Sequence, residues 1–228
     1  MAVVICDQRR AAYLRKMADA RNEVESLLFG SHQWEVCKQS KDWVVSRTLS
    51  PHSRAHAFKN ELTINIPLEQ LSTRIHPCGP YRAKWDSLLN RVDLMATVSD
   101  DVLILRHLVK PQLMGLMSPR DSIDLCMFEK TDRCRSIIVE SIESEDFPPD
   151  PNFVRAWSYP AGMFLYRTPD PNQTRVVSLL NAEMHLSMIP KSVQEAFIPR
   201  MVVQFFDDLR RSVKLKEEQH ERLAGGWG

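Results

Sequence analysis

A chain of 228 residues carrying 30 Lys and Arg against 29 Asp and Glu is long enough to bury a core or wall a cavity, and its near-zero balance excludes polyanion binding through bulk charge. No stretch approaches the ~18 consecutive apolar residues of a membrane span, and the apolar run Ala2–Cys6 before Asp7 is too short for a secretory signal, so an intracellular, cytoplasmic protein is expected. The cysteines Cys6, Cys37, Cys78, Cys126 and Cys134 form no C-x-x-C pair, and no histidine cluster has metal-ligand spacing, so reduced thiols are expected, with no disulfide framework and no metal.

The first element is a helix over Gln8–Phe29, where Tyr13, Met17, Ala20, Val24, Leu27 and Leu28 recur at helical spacing and Gly30 supplies the stop. Trp34–Cys37, Trp43–Arg47 and Leu62–Ile66 then read as strands, and Pro67–Ile75 as a short helix with proline in its first turn. Further strands are predicted over Val92–Val98, Val102–Val109, Ser122–Lys130, Ser136–Ile142, Phe153–Arg167 and Arg175–Leu180. Turn-like separators such as Ser99-Asp100-Asp101 and Thr131-Asp132-Arg133 make their neighbours antiparallel.

A long helix over Pro190–Lys216 closes the chain. Its apolar row is Val193, Phe197, Met201, Phe205, Leu209 and Val213, widened by Ile198, Val202 and Phe206, and Pro199 predicts a kink near 196–199. Lys214–Arg222 reads as a solvated helix end and Gly225–Gly228 as a disordered tail. The layout is α+β, with one curved antiparallel sheet gripping a terminal helix. Residues 1–30 pack as an N-terminal helix on a unit spanning 31–216, and 217–228 form a flexible tail.

Specific blocks then carry a resemblance. Tyr81-Arg82-Ala83-Lys84-Trp85-Asp86, Met117-Ser118-Pro119-Arg120-Asp121, Phe153-Val154-Arg155-Ala156 with Tyr159-Pro160-Ala161-Gly162, Ile189-Pro190-Lys191-Ser192-Val193 and Phe205-Phe206-Asp207-Asp208-Leu209 keep their order and spacing. Together they resemble the steroidogenic-acute-regulatory-related lipid-transfer (START) family, in its branch of single-domain carriers. The resemblance implies a helix-grip fold, a curved antiparallel sheet around a hydrophobic tunnel closed by the C-terminal helix. It also implies a carrier that shields a sterol, bile-acid-like lipid or phospholipid and exchanges it between membranes. The alternative is a ligand-responsive sensor acting on a protein partner. No cofactor and no nucleic acid is implied, and a monomer is expected.

By the register of Ser118-Pro119-Arg120-Asp121, Cys126 falls where cholesterol-carrying relatives place an arginine, and His107 falls near its acidic partner. The buried charge pair is therefore expected to be absent, which favours another lipid or a differently anchored sterol. Arg106, His107 and Ser158 are the replacement polar candidates. Ile137 matches an apolar tunnel position, and Phe197, Met201, Phe205, Leu209 and Val213 the ligand-facing row of the closing helix. Lys130, Arg133 and Arg135 lie in a hairpin matching a tunnel-mouth loop and are the membrane-contact candidates. Arg120, Asp121 and Arg155 are expected to be structural. With no G-x-S-x-G, no H-E-x-x-H and seven glycines in all, no catalytic residue is assigned.

Overall fold

Asp7–Phe29 form α1 in the computed structural model, which describes residues 4–186 and 191–214. Met17, Ala20, Val24, Leu27 and Leu28 fall on one face and are buried, and the Gly30 amide closes the last turn on the Ser26 carbonyl at 2.9 Å. That face packs on the outer surface of a sheet, against Ile104, Ile123, Leu125, Ile138, Phe164 and Val177. Lys16 pairs with Glu140, and Arg21 with Glu129 at 2.7 Å, along the seam.

The strands follow in order as β1 (Glu35–Gln39), β2 (Trp43–Leu49), β3 (His56–Ile64), β4 (Leu89–Ser99), β5 (Val102–Val109), β6 (Arg120–Lys130), β7 (Cys134–Ser141), β8 (Val154–Arg155), β9 (Trp157–Ser158), β10 (Ala161–Arg167), β11 (Thr174–Leu180) and β12 (Ala182–Glu183). The main sheet runs β1-β2-β3-β11-β10-β7-β6-β5-β4, with β8 added in parallel to β6, and β12 pairs separately with β9. All its other pairings are antiparallel, and β1 and β4 are its two edges, so the sheet curves without closing into a barrel.

Three helices sit on the inner side or its rim: α2 (Leu68–Ile75), α3 (Arg82–Trp85) and the terminal α4 (Lys191–Lys214). Leu68, Leu71 and Ile75 of α2 and Val202, Phe206 and Leu209 of α4 bury themselves with Phe58, Leu62, Ile64, Leu165 and Val176 of the sheet. Strand alternation thus separates two cores, one under α1 and one under α4.

β3 begins at His56, well before the expected Leu62. Lys59-Asn60-Glu61 reads as a polar break, yet Lys59 and Glu61 face outward while Asn60 is buried inward. The expected strand Phe153–Arg167 is three pieces, interrupted at Ala156 and at Tyr159-Pro160. Pro199 lacks a backbone donor but does not divide α4, which continues through it with Phe197, Pro199 and Val202 buried. The expected helix start at Ile189-Pro190, the charge run beyond Lys214 and the tail over 217–228 lie outside the described residues.

At Gly162 the sheet lies close against Val24 of α1. A Cβ there would stand 2.9 Å from Ile138 Cδ1, 3.0 Å from the Ile137 carbonyl and 3.3 Å from Val24 Cγ1. Gly162→Val is expected to lower stability by about 1–3 kcal/mol through overpacking, read as a lower urea midpoint.

Candidate functional site

Between the inner face of the sheet and α4 lies a cavity of about 490 Å³, within the range of about 300–1,000 Å³ usual for small-molecule sites. Its helix wall is Ile198, Met201, Val202, Phe205 and Phe206, and Phe58, Leu89, Val109, Val139, Met163 and Leu180 give the apolar part of the sheet wall. Below Cys126 on β6, Phe128 stacks on His76 with ring centroids 4.5 Å apart.

Polar groups interrupt this lining, among them the ion pair Arg82–Asp86 at 2.8 Å and a cluster on β6. On β6, Ser122, Asp124 and Cys126 alternate onto the inner face and all border the cavity. Asp124 is buried and ringed by donors: His107 Nδ1 lies 2.8 Å away, Ser122 Oγ 2.6 Å and Ser141 Oγ 2.6 Å. The Ser158 amide in turn donates to Ser141 Oγ at 2.8 Å. The register explains the convergence, since β6 places Ser122 opposite His107 of β5 and Asp124 opposite Ser141 of β7.

Burial alone would push the Asp124 carboxyl up. The hydrogen bonds and charge of His107, with those from Ser122 and Ser141, outweigh it and hold the group below its ordinary value. Burial beside that carboxylate pushes the Cys126 thiol well above its ordinary range. An ionised Asp124 accepts only, so Nδ1 of His107 carries the donated proton and Nε2 is left as the ring's remaining hydrogen-bonding atom. Both serine hydroxyls point at Asp124 rather than at His107. The cluster therefore lacks the nucleophile-to-base hydrogen bond of a catalytic triad.

Of the candidates drawn from the sequence, His107, Cys126, Ile137, Ser158, Met201 and Phe205 border the cavity. Arg106 does not. Next to His107 on the same strand it points the other way, donating to Asp121 at 2.9 Å and Asp150 at 3.1 Å with Phe153 under its guanidinium. Phe197, Leu209 and Val213 also leave the wall. Phe197 packs with Met117 and Leu186, while Leu209 and Val213 join the core around Leu62 and Leu71. A row spaced by four residues drifts about 40° per step around a helix, so only its middle members, Met201 and Phe205, coincide with the cavity. The wall follows Ile198, Met201, Val202, Phe205 and Phe206 instead.

The hairpin candidates lie elsewhere. Lys130, Arg133 and Arg135 do not line the cavity, and Arg135 pairs with Glu69 of α2 at 2.8 Å. Asp124 was not legible as a site residue by register to an arginine. The alternation Ser122-x-Asp124-x-Cys126 within a strand is the signal that finds it, because it puts three polar or thiol groups on one buried face.

The cavity's frame is held by two further networks. Arg120 donates to the carbonyls of Ser118, Met184 at 3.2 Å and His185 at 3.3 Å, tying the segment before α4 to β6. Asp208, buried on α4, accepts from the Ser87 amide at 3.0 Å, Ser87 Oγ at 2.5 Å and Gln204 at 2.9 Å. Asp208→Ala is expected to cost about 1–3 kcal/mol and to speed amide exchange along α4 more than in α1, as read by hydrogen exchange.

A family model of the START domain matches residues 17–219. StAR-related lipid transfer protein 5 of Bos taurus is 29% identical over 184 residues, which cover 79% of this chain and 86% of the relative. The solved human StAR-related lipid transfer protein 5 has a TM-score of 0.84 at 23% identity, over 90% of this chain and 98% of that structure. The structure of human STARD10 gives a TM-score of 0.74 at 18% identity, over 96% and 84%. The family match begins within α1 and takes in the whole sheet and α4, so this helix-grip chain belongs to the START-domain family.

Proposed function

We propose that the protein is a non-catalytic lipid carrier that shields one lipid in its cavity and exchanges it between membranes. The observation that carries this reading is a largely apolar cavity of about 490 Å³ with the hydrogen-bonded His107–Asp124 cluster on its sheet wall. An apolar ligand gains about 25 cal/mol per Å² removed from water, and the anchor pairs its polar group, which would otherwise be buried without a partner. A hydroxyl suits this anchor, because it both donates and accepts and so pairs with Nε2 of His107. An anionic head group does not, since it meets the Asp124 carboxylate. A hydroxylated lipid of sterol size is the class favoured, and the free cysteines suit a cytoplasmic setting.

No described helix is long and apolar enough to cross a membrane. Transient contact is assigned to the segment between β5 and β6 rather than to Lys130, Arg133 and Arg135. Met114 and Leu116 there are exposed at 103% and 79%. Leu113 and Met114 hold left-handed backbone angles, φ 52° and 55°, a conformation costly for side-chain-bearing residues. Met117 and Leu113, which flank the exposed tip, pack with Leu186 and with Phe197 and Met201 of α4. Burial of the tip in lipid thus acts next to the helix that closes the cavity.

Two measurements test the reading. Native mass spectrometry of the purified protein is expected to show one bound lipid, and labelled lipid is expected to move between liposomes catalytically. Met114→Asp with Leu116→Asp is expected to cut liposome binding about tenfold or more with unchanged thermal stability. Absence of any bound lipid together with no exchange for any lipid class overturns the carrier reading.

A further inference from the structure

Asn60, on β3, is 4% exposed and borders the cavity together with Ser178 of β11, the residue opposite it in the register. Its Nδ2 donates to Ser178 Oγ at 3.3 Å, but Oδ1 is buried with no hydrogen-bond partner. Turning the amide over exchanges the two atoms and leaves the NH2 short of an acceptor instead, so one end of this side chain always lacks a partner. A polar residue in this state on an otherwise apolar inner face, with Phe58, Leu62 and Ile64 as its strand neighbours, gains nothing for an empty fold.

Its place in the sheet is remote from the His107–Asp124 anchor. The register runs Asn60–Ser178–Met163–Ile137–Phe128 across β3, β11, β10, β7 and β6, and Asp124 lies four residues further along β6. Four strand steps at about 4.8 Å, with about 13 Å along β6, put the two polar points at opposite ends of the curved wall. Val202 and Phe206 of α4 border the cavity with both.

We infer that Asn60, supported by Ser178, is a second polar subsite, and that the ligand is a rigid apolar lipid carrying one hydroxyl at the His107–Asp124 end and another at its far end. This rests on the carrier reading and narrows its ligand class. A hydroxyl both donates and accepts, so it completes the Asn60 amide in either orientation, which a carboxylate or an ammonium does not. A lipid hydroxylated at one end alone leaves the amide unpaired, and the site discriminates against it on that account.

The test uses the full chain, delipidated, with two probes: a sterol bearing only its ring hydroxyl, and a sterol bearing a second hydroxyl at the end of its side chain. Binding is read by displacement of a fluorescent sterol for wild type, Asn60→Leu and Ser178→Ala. Wild type is expected to bind the diol about tenfold more tightly than the mono-ol. Asn60→Leu is expected to abolish that preference, weakening the diol while binding the mono-ol at least as tightly as wild type, and to melt no lower than wild type when empty. Ser178→Ala, which changes little volume, is expected to narrow the preference. Equal binding of both probes by wild type, or a preference that survives Asn60→Leu, overturns the second subsite. If neither sterol binds, the diol assignment fails, while the carrier reading is decided separately by co-purified lipid and exchange.

Discussion

An Asp121→Ala variant is expected to be less stable than wild type by about 3–5 kcal/mol, the cost of removing one partner from a buried charge network. The Asp121 side chain is fully buried, and those of Arg106 and Arg155 are only 18% and 24% exposed. Asp121 accepts from Arg106 at 2.9 Å and from Arg155 at 2.9 Å and 3.2 Å. Without it Arg106 keeps Asp150, but Arg155 retains only the carbonyls of Phe147 and Pro148. Asp121→Asn restores shape and one acceptor but no charge, so it is expected to fall between the two. Urea unfolding at neutral pH reads the difference. A wild-type midpoint for Asp121→Ala would show that the two arginines are held by their other contacts.

The second large effect is at the anchor. Asp124→Asn removes a charged acceptor shared by His107, Ser122 and Ser141 and is expected to cost about 1.5–3 kcal/mol at neutral pH. Its pH dependence has a definite sign. The folded carboxyl titrates below its ordinary value of 3.8, so its stabilisation is complete above the unfolded carboxylate range and is lost as pH falls through the folded value. The gap between wild type and Asp124→Asn should therefore stay level from neutrality down to about pH 5 and close in more acid solution. Chemical unfolding of both proteins at matched pH values measures it. The same variant should bind a mono-hydroxylated lipid at least tenfold more weakly, because an amide can turn its NH2 as well as its carbonyl to Nδ1 and so no longer fixes the His107 tautomer.

Much of the fold is legible in the sequence because its elements follow simple periods. α1 spans Asp7–Phe29 where Gln8–Phe29 is expected, and β5 spans Val102–Val109 as expected. The misses share a cause: polar residues on the inner face. Asn60 lies in the polar run ahead of Leu62, where no strand is expected, and Asp124 lies inside the expected strand Ser122–Lys130 with nothing in the motif register to single it out. Arg106 and His107 adjoin in sequence, and strand alternation sends only His107 to the cavity. On α4, four-residue spacing identifies the helix but not which of its faces looks inward. That choice depends on how Leu209 and Val213 dock against β3 and α2, a tertiary fact. The roles of Arg120 and Asp121 as ties are legible because their motif sits at a strand start, where a buried ion pair can fix a loop.

The pairing of β3 with β11 brings Asn60 and Ser178 together across 118 positions of chain. Joining strands so far apart in sequence raises the contact order of the fold, which slows folding. The cavity's walls are drawn from both sides of that seam, with β3 on one and β10, β11 and α4 on the other. A nascent chain that has emerged only as far as β7 thus owns the anchor but no enclosure around it. Enclosure comes only with β10, β11 and α4, so the part of the chain made first carries the polar cluster without the walls that shut it off from water.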